Sequence, residues 1–272
     1  MKLDGRVAVV TGAGSGIGRG ISQALARRGC NLALCDLNQA GMNETAALVS
    51  NVKVSTHKLD VTDRAAVAAL PEQVLAEHGR VDVLVNNAGV AVGGTFEQVG
   101  EEDFDWCMDV NFNAVVRLTR AFLPHLNQSD GGRIINISSL FGLIAPPGQT
   151  SYCASKFAVR GFSESLRKEL EEAGSTVGVT TIHPGGVRTN IAKNARTPKG
   201  LTNEEVNFME EERERFTRDF LVMPPEKAGE IIVSGAERGK PRVIVGNDAK
   251  MGAFFERLMP VGYWNILKRN MS

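Results

Sequence analysis

The sequence predicts a single α/β domain built on a doubly wound parallel sheet of seven strands, with helices on both faces. Three observations carry this. Short β-branched runs alternate with longer amphipathic stretches from the first residues onward, the pattern of βαβ units. Several runs, Val7-Ala-Val-Val10 and Val83-Leu-Val85 among them, are apolar throughout, so both of their faces must be covered. A glycine-rich turn follows the first run, where such sheets place a helix N-terminus. At 272 residues the chain fits one large domain that buries most of the surface its unfolded form exposes.

The first strand, 6–11, enters Thr11-Gly-Ala-Gly-Ser-Gly-Ile-Gly18, and a helix opens near Ile17. Glycines let backbone approach a pyrophosphate, while unpaired N–H groups and the positive end of the helix dipole favour its charge. The spacing is G-x-x-x-G-x-G at Gly12, Gly16 and Gly18; Ile17 stands where the common G-x-G-x-x-G fingerprint would end. The second strand, Asn31–Asp36, ends 18 residues past Gly18 in Cys35-Asp-Leu37. A carboxylate there meets the adenosine ribose hydroxyls and repels a 2′-phosphate, which points to NAD rather than NADP. Position 37 is not arginine and position 15 is serine, so the usual 2′-phosphate partners are missing. Arg19 could offset this by reaching the phosphates, and a surface Asp36 starting a turn is the plainer alternative.

The third strand, 53–59, leads into Leu59-Asp-Val61; the fourth, 81–86, into Asn86-Asn-Ala-Gly89; the fifth, 133–138, ends in Asn136-Ile-Ser-Ser139. Helical periodicity over 150–173 puts Tyr152 and Lys156 one turn apart on one face. A phenol that exchanges protons near neutrality needs its pKa lowered by about 2 to 3 units, or ~3 to 4 kcal/mol, and a neighbouring ammonium favours the phenolate. The sixth strand, 176–183, runs into Pro184-Gly185, and the seventh is Arg242–Val245.

Between 190 and 225 there is no strand signal: a polar stretch, 193–202, precedes a charged segment, 203–218. Val206, Met209, Phe216 and Phe220 there share roughly one helical face, so this insertion is either a helix docked on the core or a mobile lid over a substrate pocket. The tail, 251–272, carries Phe254, Phe255, Leu258 and Trp264. Packing on the core or a sister subunit is its default reading. A pocket wall is a second, and Lys268 and Arg269 keep a membrane-surface contact as a third.

With 43% hydrophobic and 23% charged residues and no net charge, the composition is that of a soluble globular protein without a nucleic-acid partner. Cys30, Cys35, Cys107 and Cys153 lack disulfide-framework or zinc spacing, and His57, His78, His125 and His183 form no cluster with carboxylates, so no metal is expected. No apolar run reaches the ~18 to 20 residues of a membrane span, and the N-terminus enters a strand without a signal-peptide pattern; a cytoplasmic location is expected.

Taken in order, the glycine turn of T-G-x-x-x-G-x-G form, Asn86-Asn-Ala-Gly89, Asn136-Ile-Ser-Ser139, Tyr152-x-x-x-Lys156 thirteen residues after Ser139, and Pro184-Gly185 resemble the short-chain dehydrogenase/reductase family over residues 4–246. The resemblance implies a Rossmann-like catalytic domain, 1–250, that moves a hydride between a nicotinamide dinucleotide and an alcohol or carbonyl. It implies that Tyr152 is the general acid/base, that Ser139 bonds the substrate oxygen, and that Lys156 lowers the tyrosine pKa while holding the nicotinamide ribose. Asn111 would hold a water linking Lys156 to solvent. Gly12, Ser15, Gly16, Ile17 and Gly18 would cradle the phosphates beside Asp36. Asp60 would contact the adenine amine with Val61 beside the ring, and Asn87, Ala88 and Gly89 would lie near the adenosine ribose. Pro184, Gly185, Val187 and Thr189 would shape the nicotinamide side.

Three alternatives stay open within this: Ser138 in place of Ser139, Asn111 as a residue that caps or bridges a helix, and Asp60 as the start signal of the following helix. The short Asp-Gly-Gly tail of many relatives is absent, which favours a dimer over a four-subunit assembly. A pocket lined by 139–147, 185–193 and the insertion would hold Leu140, Phe141, Leu143, Ile144 and Phe208, fitting a lipophilic alcohol or ketone. The competing reading is a non-catalytic dinucleotide-sensing protein, for which an intact Tyr152/Lys156 pair would have no use.

Overall fold

A computed structural model describes residues 1–268; the last four residues of the tail, Arg269 among them, lie outside the described residues. The strands are β1 (Val7–Thr11), β2 (Asn31–Asp36), β3 (Val54–Lys58), β4 (Val83–Asn86), β5 (Arg133–Ile137), β6 (Gly178–Pro184) and β7 (Arg242–Val245). They form one sheet in the order β3-β2-β1-β4-β5-β6-β7, every pair parallel. The chain winds outward from β1 to β3, returns to β4 beside β1 and then runs the other way. The reversal between β1 and β4 opens the crevice in which sheets of this kind bind ligands.

Helices α1 (Gly16–Ala26), α2 (Gln39–Ala47), α3 (Arg64–His78), α4 (Glu101–Met108), α5 (Ala114–Leu126) and α6 (Thr150–Glu172) follow the strands. The insertion forms α7 (Asn203–Asp219); α8 (Pro225–Glu237), α9 (Asn247–Leu258) and α10 (Tyr263–Leu267) complete the fold. The wholly apolar strands serve two cores. Ala8 and Val10 pack with Ile21, Leu25 and Ile232 on the α1/α8 side, while Val7 and Val9 pack with Leu70, Leu118 and Phe122 on the other. Where α1 crosses α8 the backbones touch: a Cβ on Gly20 would lie 2.2 Å from the Pro225 carbonyl oxygen.

Several strands are a residue or two shorter than the sequence reading, with β1 starting at Val7, β3 spanning Val54–Lys58, β5 ending at Ile137 and β6 starting at Gly178, and three further boundaries differ. β4 starts at Val83, not 81, because the Asp82 carboxylate takes the Val7 N–H at 2.9 Å and binds Arg6, Arg80 and Ser129, turning the chain before the ladder begins. β6 extends one residue further, through Pro184, paired to Val245. The tail becomes helical at Asn247, directly after β7, rather than at 251. In the insertion, Thr202 and Glu205 close a capping box on α7, whose Val206, Met209 and Phe216 are half-buried. Phe208, expected on the pocket wall, is 64% exposed and stands off that face. Among the described residues no helix is long and apolar enough to cross a membrane.

Candidate active site

The first βα turn is shaped for close backbone approach. Gly12 and Gly16 hold positive φ, and a Cβ on Gly18 would lie 2.0 Å from the Gly12 carbonyl oxygen. Asn87 braces the turn by donating Nδ2 to the carbonyls of Thr11 (2.8 Å) and Gly12 (3.2 Å), while Thr11 Oγ1 accepts from the amides of Asn87 and Ala88. Ser15 stands at the N-cap of α1 and its side chain caps no amide, so the first turn can offer N–H groups to an anion.

Asp36 ends β2 half-buried beside this turn, Oδ2 accepting from Gly14 N at 2.8 Å and Oδ1 from Asn38 N at 2.9 Å. Arg19 is committed elsewhere: Nη2 donates to Gly14 O (2.6 Å) and pairs with Glu44, and Nε donates to Thr45. Asp60 is exposed and accepts from the Thr62 amide and hydroxyl. The start signal of α3 is Asp63, which accepts from the Ala65 and Ala66 amides, so Asp60 is not the cap. Val61 is buried with Cys35 and Leu59.

The carboxyl end of β5 separates the two serines. Ser138 is buried and donates to the Lys156 carbonyl at 2.8 Å. Ser139 remains half-buried, opens a 3₁₀ turn by accepting from Phe141 N, and lies close enough to Tyr152 to favour its phenolate. From α6, Lys156 is buried, donates Nζ to the Ile137 carbonyl at 3.1 Å and lies 5.6 Å from the Tyr152 ring centre. Phe141 meets that ring edge-on at 6.2 Å. The structure therefore brings Ser139, not Ser138, to the tyrosine.

Burial dominates the electrostatics of the pair in the chain by itself. Tyr152 keeps part of its surface exposed, but its ring packs on Val92, Val99 and Cys107, and burial pushes the phenol up to about 12 against the opposing effect of Ser139. Burial likewise brings Lys156 down to about 8. Burial is the largest cause at both groups, because the low-dielectric setting that penalises a phenolate penalises the ammonium as well.

Asn111 is fully buried in a π turn, Asp109–Asn113, between α4 and α5. Oδ1 accepts from Val90 N at 2.8 Å; Nδ2 donates to Val90 O and to Ser155 Oγ, whose hydroxyl in turn donates to the Tyr152 carbonyl. A Cβ on Gly89 would lie 3.2 Å from Asn111 Oδ1 and 3.4 Å from Lys156 Nζ, so this glycine leaves the space between them open.

Pro184, Gly185 and buried Val187 follow on the far side of the crevice, and Thr189 reaches the glycine turn, its Cγ2 within 3.0 Å of a Cβ built on Gly16. Several contributors escaped the sequence reading. Buried His183 hydrogen-bonds the Ser139 carbonyl through Nδ1 at 2.8 Å, and burial holds its pKa near 4, so the ring is neutral. Asn86 donates to Asn136, which donates to Ser163, a buried ladder tying β4, β5 and α6. Arg196 pins the insertion by stacking 3.4 Å over Trp106 and pairing with Asp103. The tail reaches the site twice, through Asp248 to Gly186 N and through the Tyr263 hydroxyl to Ala145 N. Polar residues at strand ends were the available signal for the ladder; the long-range pairs left none.

A family model described as short chain dehydrogenase matches residues 6–200. SadH of Mycobacterium tuberculosis, named as an oxidoreductase, is 43% identical over 270 residues, covering 96% of both chains. Among solved structures, a short-chain dehydrogenase/reductase from Burkholderia phymatum in complex with NAD superposes with a TM-score of 0.87 at 28% identity, over 94% of each chain. A metagenomic short-chain oxidoreductase in complex with NADP gives 0.64 at 37% identity, covering 69% of this chain and 86% of that one.

Proposed function

The chain belongs to the short-chain dehydrogenase family of oxidoreductases, and from that premise we propose that it interconverts a lipophilic secondary alcohol and a ketone with NAD(H). The observation that carries this reading is the meeting of Tyr152, Ser139 and Lys156 at the carboxyl end of β5, beside the β1/β4 switch point. The glycine turn fits a dinucleotide: it is a cradle that a Cβ on Gly12 or Gly18 would fill, at the uncapped start of α1. Gly12, Ser15, Gly16, Ile17 and Gly18 would hold the phosphates; Asp60, Val61, Asn87, Ala88 and Gly89 the adenosine side; and Pro184, Gly185, Val187 and Thr189 the nicotinamide side.

The bound dinucleotide supplies or accepts the hydride. In reduction the Tyr152 hydroxyl gives its proton to the substrate oxygen that Ser139 holds, and in oxidation it takes the proton back. Lys156 would bind the nicotinamide ribose and favour the phenolate, and Asn111 would keep the proton path to Lys156 in place. Relatives of this family hold NAD in one case and NADP in another, so cofactor choice rests on Asp36. Its carboxylate stands where a 2′-phosphate would be repelled, and Arg19, turned to Gly14 and Glu44, does not counter it. Leu140, Phe141, Leu143 and Ile144 would line the substrate side and favour an apolar body next to the reacting carbon.

A spectrophotometric screen of NADH and NADPH against ketones of increasing apolar size tests this reading. The expected outcome is NADH-dependent turnover that improves with apolar bulk. A clear NADPH preference overturns the role of Asp36, and no carbonyl reduction with either cofactor overturns the reaction.

A further inference from the structure

We propose that Asp248 is a positioning residue for the nicotinamide side of the cofactor site, acting through the backbone of Gly186. The proposal rests on the reading that the 184–189 turn faces the nicotinamide. Asp248 lies in the first turn of α9, outside every sequence motif, yet its Oδ2 accepts from Gly186 N at 2.6 Å. Two glycines make room for this carboxylate. A Cβ on Gly185 would lie 2.1 Å from Oδ2 and one on Gly246 2.3 Å from Oδ1.

Gly186 is held from its other side as well. Its carbonyl accepts from the amides of Val222 (3.1 Å) and Met223 (3.0 Å), where the insertion returns to the core, and a Cβ there would lie 1.7 Å from the Phe220 carbonyl oxygen. Both polar groups of one peptide position are thus fixed by elements distant in sequence, the tail through its N–H and the insertion through its C=O. That fixes the segment between Pro184 and Thr189 before a ligand arrives, and preorganisation of this kind shows in affinity. A merely structural Asp248 would stabilise the start of α9 through the helix dipole and leave the two halves of the dinucleotide site equally affected.

The full-length chain and its Asp248→Ala and Asp248→Asn variants are titrated with NADH and with ADP-ribose, which lacks the nicotinamide. Asp248→Ala is expected to weaken NADH binding about tenfold while ADP-ribose binding changes less than about twofold. Asp248→Asn keeps an accepting oxygen and should stay within about threefold of the original for both. Equal losses for both ligands, or no loss for NADH, overturn the proposal while leaving the cofactor reading intact. If the unaltered chain binds neither ligand, the cofactor reading falls and the proposal with it. Should the alanine variant not fold, hydrogen exchange of the unaltered chain decides: the Gly186 amide is expected to be protected, and exchange at the rate of an open loop overturns the proposal.

Discussion

At Tyr152 and Lys156 the same burial acts on two opposite charges. Moving the Lys156 pKa from 10.5 to about 8 means the ammonium is disfavoured in the folded chain by roughly 3 kcal/mol at neutral pH. The sign is that of a depressed base: the cost is complete below about pH 8 and fades as pH rises toward 10.5, where the unfolded amine also loses its proton. Lys156→Met should therefore raise the Tm of the cofactor-free chain at pH 7 by several degrees, and by less at pH 10, while abolishing turnover. Calorimetry at the two pH values checks both parts, and a lower Tm at pH 7 contradicts the burial cost. Which residues would meet was legible here because the motifs are local: Tyr152 and Lys156 share one helix turn, and Ser139 lies at a strand end. The state of those groups was not legible, since burial among Val92, Val99 and Cys107 depends on segments far apart in the chain.

Among elements, strands were the most readable, because a strand covered on both faces is apolar throughout, as Val7 to Val10 is. The α1/α8 contact left no such trace. A Cβ on Gly229 would lie 2.2 Å from Gly20 backbone atoms, so Gly229→Ala should cost about 3 kcal/mol by forcing the helices apart, a loss that urea unfolding would register. An unchanged midpoint would mean that the crossing is loose. In the tail, α9 packs through Ala249 and Gly252, and a Cβ on Gly252 would stand 2.7 Å from Leu140 Cδ1, while Phe254 and Leu258 of the expected apolar stripe are exposed. Tyr263 also accepts from Ala145 N at 2.9 Å, joining the tail to the expected substrate wall. Tyr263→Phe should speed amide exchange in peptides spanning 140–147 and raise KM for bulky ketones more than it lowers kcat. Unchanged exchange would show that the hydroxyl does not hold that wall. The contact could not be read in advance because its partners are 118 positions apart.

For the molecule as a whole, the strand order follows from connection rules once seven strands and a switch point are recognised, which is why the fold was legible almost entirely. What joins the site to the rest was not. The Asn86–Asn136–Ser163 ladder, the Arg196 anchor and the Asp248 contact lie between elements, and single-chain periodicity carries no record of them. The expected dimer belongs to this scale too, and sedimentation velocity should show one species of twice the chain mass; a monomer or tetramer would replace that expectation. The central claim is proton transfer by Tyr152, and the most direct measurement is steady-state reduction of the best ketone by a Tyr152→Phe variant with its NADH affinity measured alongside. Loss of one hydroxyl should lower kcat by about 10²- to 10⁴-fold with NADH binding preserved. Turnover equal to that of the unaltered enzyme would contradict it.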